Sequence, residues 1–195
     1  MEEHYMTQTF TTGLMGAGKS RELIERFNAD VTKKVAMAAH LTEETGTVGK
    51  IESRNGKKVK AIYLNKSHSK EVLEVVKNFI FMKNIDSIYI DEVQFFPKSI
   101  ISDISKVAEE SHVDVHFFGL STTFTADYFE ASELLLKIIL DENIIKISMG
   151  CQTEGCTEKA EYNARMVDGK VAREGDTFLQ QKSKYLALCK KCYFC

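Results

Sequence analysis

At 195 residues, with 44% hydrophobic and 28% charged side chains, the chain can bury a substantial core as one ordinary domain, with or without a small appendage. Its 26 basic and 28 acidic residues leave a net charge of −2, which argues against a broad nucleic-acid-binding or membrane-binding surface. The N-terminus, MEEHYMTQTF, is polar and acidic, and no run approaches the ~18 apolar residues of a membrane span. A cytoplasmic protein is expected, in which the five cysteines serve as thiols or metal ligands rather than disulfides.

Up to about Gly150, short apolar runs alternate with helical stretches, which predicts an α/β sheet. Strands are predicted over residues 7–12, 35–39, 87–90, 113–120 and 144–148. The first runs into Gly13, Leu14, Met15, Gly16, Ala17, Gly18, Lys19 and Ser20, a full G-x-x-x-x-G-K-[ST] match. An amphipathic helix follows, with Leu23, Ile24 and Phe27 on one face. Such a loop wraps with its N–H groups inward, and the helix N-terminus adds partial positive charge at the same place. The expected ligand is a nucleoside triphosphate, with Lys19 on the β- and γ-phosphates and Ser20 on Mg²⁺.

Asn55-Gly56 gives a weak hairpin signal. The third predicted strand then ends in SIYIDEVQFFP, leaving Asp91 and Glu92 at its tip. An aspartate there, beside a phosphate loop, commonly holds Mg²⁺. The adjacent glutamate suits a base acting on a hydroxyl or water. Successive strand side chains face opposite ways, so only one of the pair should point at the metal. Phe95 and Phe96 read as core or lining, and Ile100, Ile101, Ile104, Val107 and Ala108 mark the next helical face.

All five cysteines lie in the last 45 residues, which places a boundary near Cys151 between a nucleotide-binding domain, 1–150, and a small module, 151–195. Asp168-Gly169 predicts a tight hairpin, since a type I′ turn needs positive φ at both central residues. Cys151-x4-Cys156 and Cys189-x2-Cys192 can set four thiolates around Zn²⁺. Cys195 forms a second C-x-x-C with Cys192 and competes as a ligand. Four thiolates leave no open position, so such a metal is structural; it would hold a flap too poor in apolar residues to fold alone.

Taken together, these motifs resemble the zinc-containing thymidine kinases over nearly the whole chain. DEVQFF follows that family's D-E-x-Q-F, ESRNG is similar to S-R-x-G, and GLSTTF with the later YF is similar to G-L-x-x-D-F with its later F. KAEYNAR resembles a lid strand ending in arginine, and KYLALCKKCY resembles Y-x-x-x-C-x-x-C-Y. The resemblance implies a P-loop NTPase-like parallel sheet flanked by helices, with a C-terminal zinc-binding lid. It also implies ATP-dependent phosphorylation of the 5′-hydroxyl of a pyrimidine deoxynucleoside, thymidine to dTMP in nucleotide salvage, with deoxyuridine plausible.

By the same resemblance Glu92 is the general base, Asp91 and Ser20 organise Mg²⁺, and Arg54 and Arg165 neutralise charge on the transferring phosphoryl. Leu120, Phe124, Phe129, Phe178, Leu179, Gln180, Gln181 and Tyr185 fall at nucleoside-binding positions. A homotetramer and dTTP inhibition are implied as well, with no nucleic-acid or membrane partner. The chain departs from the family pattern at Glu43 and Thr45 (for D-x-R), at Thr123 and Thr125 (for aspartate and then arginine or glutamine), and at Gln180-Gln181 (for Gly-Gly). These changes spare the phosphate and metal chemistry and bear on nucleoside specificity. The alternative they support is a diverged phosphate-loop ATPase or nucleotide-binding regulator without a nucleoside acceptor.

Overall fold

Strand β1 (Gln8–Gly13) delivers the chain to the glycine loop, and α1 (Lys19–Ala29) leads away from it. A computed structural model describes residues 6–175 and 184–195. Next come β2 (Lys34–His40), β3 (Val48–Glu52), β4 (Lys58–Asn65), α2 (Ser69–Lys83), β5 (Ser87–Asp91), α3 (Lys98–Glu110), β6 (Asp114–Gly119), α4 (Glu130–Ile138) and β7 (Ile144–Ile147). They form a seven-stranded sheet of order β3-β4-β2-β5-β6-β1-β7. All neighbours run parallel except β3, which pairs antiparallel with β4. The predicted strands are present with ends shifted by a residue or two; β3, β4, α2 and α4 are additions to the predicted set.

A parallel sheet covered on both faces needs apolar residues at consecutive positions, and the strands supply them. Phe10, Met37, Ile88, Ile90 and Phe117 pack against buried residues of α2, α3 and α4, among them Val76, Ile104 and Leu135. The alternate positions, Ala36, Ala38, Tyr89 and Phe118, meet Leu23 and Ile24 of α1. The side chain of Asp91, two residues after Tyr89, therefore falls on the face that carries α1 and the glycine loop.

The last residues form β8 (Tyr162–Val167), β9 (Lys170–Val171), β10 (Lys184–Leu188) and the short α5 (Lys190–Phe194). Their antiparallel sheet has the order β10-β8-β9. Asp168 (φ 49°) and Gly169 (φ 76°) turn the β8–β9 hairpin with left-handed backbone, as Asp-Gly predicts. The apolar cluster here is small, centred on Ala164, Leu188 and Tyr193. No described helix is long and apolar enough to cross a membrane.

Candidate active site

Three adjacent strands, β5, β6 and β1, end on the same edge of the sheet, and their loops converge there as in other open α/β sheets. They border a cleft of about 560 Å³ lined by Met15–Arg21, Glu52–Asn55, Glu92, Gln94, Phe95 and Leu120. Within the glycine loop, Gly16 (φ 84°) and Gly18 (φ 100°) are left-handed. A Cβ on Gly16 would stand 2.8 Å from Nη1 of Arg54. Only glycine lets this backbone bend and lets the arginine lie against it.

Lys19 is buried and donates from Nζ to the carbonyls of Gly13 (3.2 Å) and Leu14 (3.1 Å). Burial lowers its pKa, opposed by the charges of Glu92 and Asp91. Asp91 is 3% exposed. Burial, and then the charge of Glu92, push its carboxyl up to about 7 although Ser20 and the Glu92 N–H both donate to it. A divalent cation between Ser20 and Asp91 would reverse that balance, and these hard oxygen donors suit Mg²⁺.

Glu92 leaves the strand with φ 59°, a left-handed conformation uncommon for a side chain of this size. The alternation rule stops at this residue. Asp91 stays in the strand, while the backbone twist turns Glu92 into the cleft wall. Its Oε2 accepts from Nε2 of Gln94 at 2.5 Å, and Oε1 of Gln94 accepts the N–H of Leu120 at 3.0 Å. Gln94 thus braces the carboxylate against the loop after β6. Sequence reading quoted Gln94 inside DEVQFF but gave it no role, although its fixed place two residues after Glu92 was the available signal.

The two arginines fare differently. Arg54, in the β3–β4 turn signalled by Asn55-Gly56, borders the cleft. Arg165 does not border it: on β8 it is 8% exposed, lies 4.0 Å from the Phe124 ring centroid and donates to the Glu174 carbonyl at 2.8 Å. Leu120 lines the cleft, and Phe124 and Phe129 are buried. Tyr185 pairs with Arg165 across the β10–β8 ladder. Phe178, Leu179, Gln180 and Gln181 lie outside the described residues.

Positions where the chain departs from the family pattern are occupied locally. The Thr45 hydroxyl accepts the Asn65 N–H (2.9 Å), and Asn65 donates to the Glu43 carbonyl (3.1 Å). Thr123 and Thr125 share a hydroxyl contact of 2.8 Å, and Thr125 donates to Asp127 at 2.7 Å. A second residue that sequence reading passed over is Asn163, whose amide reaches both the Met15 N–H and the Thr122 carbonyl. A lone polar residue in a strand carries no spacing signal.

In the C-terminal module the sulfurs of Cys151, Cys156, Cys189 and Cys192 all lie within 4.8 Å of one another. A tetrahedron with arms of about 2.3 Å has edges of about 3.8 Å, and Cys156 and Cys189 stand 3.8 Å apart. Burial opposes ionisation of Cys151, yet hydrogen bonds around Cys189, Thr153 and Cys156 draw its thiol down to about 6. Despite a backbone hydrogen bond at Glu158, burial and the three neighbouring thiols push Cys156 up to about 12. Crowded thiols of this kind suit a thiophilic cation. Cys195 is exposed and stands outside the group, so the cluster is made without it.

Known proteins resemble this chain along nearly its whole length. The family described as "Thymidine kinase" matches residues 6–193. The thymidine kinase of Bacillus subtilis subsp. natto is 48% identical over 97% of both chains. That of Lactococcus lactis subsp. lactis is 32% identical over 95% of both chains, and that of Pseudothermotoga lettingae 29% identical over 95% of this chain and 93% of its own.

Proposed function

The chain belongs to the thymidine kinase family, and on that footing we propose that it transfers the γ-phosphoryl of ATP to the 5′-hydroxyl of thymidine, yielding dTMP in nucleotide salvage. The observation that carries the reading is Glu92, turned into the glycine-loop cleft and braced there by Gln94. A 5′-hydroxyl is a poor nucleophile, and a positioned carboxylate takes its proton as the bond to phosphorus forms. The loop N–H groups and the α1 N-terminus hold the phosphates. Lys19 exchanges its carbonyl partners for phosphate oxygens, and Arg54 adds charge beside Gly16.

Ser20 and Asp91 would hold Mg²⁺, which supplies charge neutralisation on the phosphates. Cys151, Cys156, Cys189 and Cys192 would hold a structural Zn²⁺. Leu120, Phe124, Phe129, Tyr185 and residues 178–181 form the nucleoside side in this reading, with Arg165 stiffening Phe124. We treat 1–150 as the nucleotide-binding unit and 151–195 as the lid; dTTP inhibition and a homotetramer belong to the same proposal on family resemblance alone.

The test is Glu92→Gln. Phosphorylation of thymidine should fall by about 10²–10⁴-fold while ATP binding survives; undiminished turnover would remove Glu92 from the base role. The local use of Thr45, Thr123 and Thr125 favours one second reading, an ATP-binding regulator with no nucleoside acceptor. Calorimetry with thymidine and dTTP separates the two: ATP binding without a response to either compound selects the regulator.

A further inference from the structure

Asn163 is 3% exposed and uses both ends of its amide. Oδ1 accepts the N–H of Met15, within the glycine loop, at 2.7 Å. Nδ2 donates to the carbonyl of Thr122, in the loop after β6, at 3.0 Å. A flipped amide would set donor against donor and acceptor against acceptor, so one orientation satisfies both contacts.

The strand that carries Asn163 is held from the cysteine cluster at two points. β8 follows Cys156, and its partner β10, with Ala187 opposite Asn163, runs directly into Cys189. The module's own apolar cluster is small, so a metal held by the cysteines would steady the ladder by clamping both strands at the Tyr162–Leu188 end. A buried amide one rung in from the Tyr162–Leu188 end of that ladder then transmits the ladder's position to the glycine loop.

We infer that Asn163 is a positioning residue that couples the cysteine module to the phosphate loop, so that metal held by the cysteines tightens ATP binding and ATP slows metal loss. The inference rests on the ATP reading of the loop. Coupling between two sites is reciprocal, which supplies a readout independent of catalysis. A residue that merely supports the fold would not make zinc release depend on a nucleotide bound to another element.

The experiment uses full-length, zinc-loaded protein and a non-hydrolysable ATP analogue, AMP-PNP with Mg²⁺. Zinc release to a chromophoric chelator is followed with and without the analogue, and analogue affinity is measured by calorimetry. The wild type is compared with Asn163→Ala and with Asn163→Leu, which keeps the branched shape and removes the amide. In the wild type the analogue should slow zinc release about tenfold, and both variants should lose that protection and bind the analogue about tenfold more weakly.

Unchanged zinc release in the wild type would overturn the coupling without recourse to any variant. Equal protection in wild type and variants, or wild-type behaviour of Asn163→Leu, would overturn the role of the amide. A zinc-loaded wild type that does not bind AMP-PNP would overturn the ATP reading itself, and the coupling with it.

Discussion

Nδ1 of His116, on the α1 face of β6, lies 3.0 Å from the Thr9 hydroxyl and 3.2 Å from an Arg26 nitrogen. Burial, and then the Arg26 guanidinium, hold its pKa down to about 4, against the ordinary 6.5. The unfolded chain therefore takes up a proton here at a pH where the folded chain does not. Stability from this residue is fully present above pH 6.5 and is lost as pH falls towards 4, by about 3 kcal/mol. Denaturant unfolding between those pH values should show the slope in the wild type and a flatter one in His116→Gln. Gly13–Ser20 and the Asp91-Glu92 pair were legible because their chemistry demands fixed neighbours. Asn163 and His116 were not, because each acts on a partner far away in the chain and leaves no local pattern; Gln94 has its local spacing to Glu92, but its second partner, Leu120, shows only in the fold.

At the scale of elements, α2 buries Val72, Val76 and Ile80 along one stripe. Phe81 and Met82 stand 62% and 77% exposed at its end, and these outward apolar residues blur the helical period. β3 and β4 escaped notice for another reason. Lysines at 50, 58 and 60 break the apolar runs of an edge hairpin, and only Asn55-Gly56 betrayed it. The Asp168-Gly169 turn, by contrast, was read correctly because positive φ restricts residue choice so strongly. The cysteine module yields a prediction at the same scale. Cys195→Ser should leave zinc content unchanged and melting within about 2 °C of the wild type. Cys189→Ser, which removes a buried sulfur from the cluster, should lower zinc retention and loosen β8 and β10, seen as faster amide exchange in both strands.

Over the whole molecule, the two faces of the sheet do different work. The α1 face carries the helix that begins at the phosphate loop, and Asp30 pins the far end of that helix. Against the cost of burial, hydrogen bonds from Thr32, Ser87 and Tyr89 hold the Asp30 carboxyl well below the usual range. The opposite face is a larger apolar layer, packed by α2, α3 and α4. Ile24→Ala and Ile104→Ala each truncate a fully buried isoleucine and should each cost about 2–5 kcal/mol of stability. Only Ile24→Ala should also weaken binding of an ATP analogue, because only it shifts α1. Equal loss of binding in both variants would show that the faces are not separable. The α/β class follows from alternation and the phosphate motif, whereas the strand order does not. The contact between the cysteine module and the loop needed three dimensions.

The hold of Lys19 on two carbonyls of its own loop has a consequence for selectivity. Two of the ammonium's three N–H donors are engaged at these carbonyls, so an anion that recruits all three must displace them. Orthophosphate and sulfate carry oxygens enough to do so, and a chain of phosphoryl groups also reaches the N–H groups along the loop. Discrimination among anions therefore rests on how much of the loop a ligand spans, and high sulfate should weaken binding of an ATP analogue by competition.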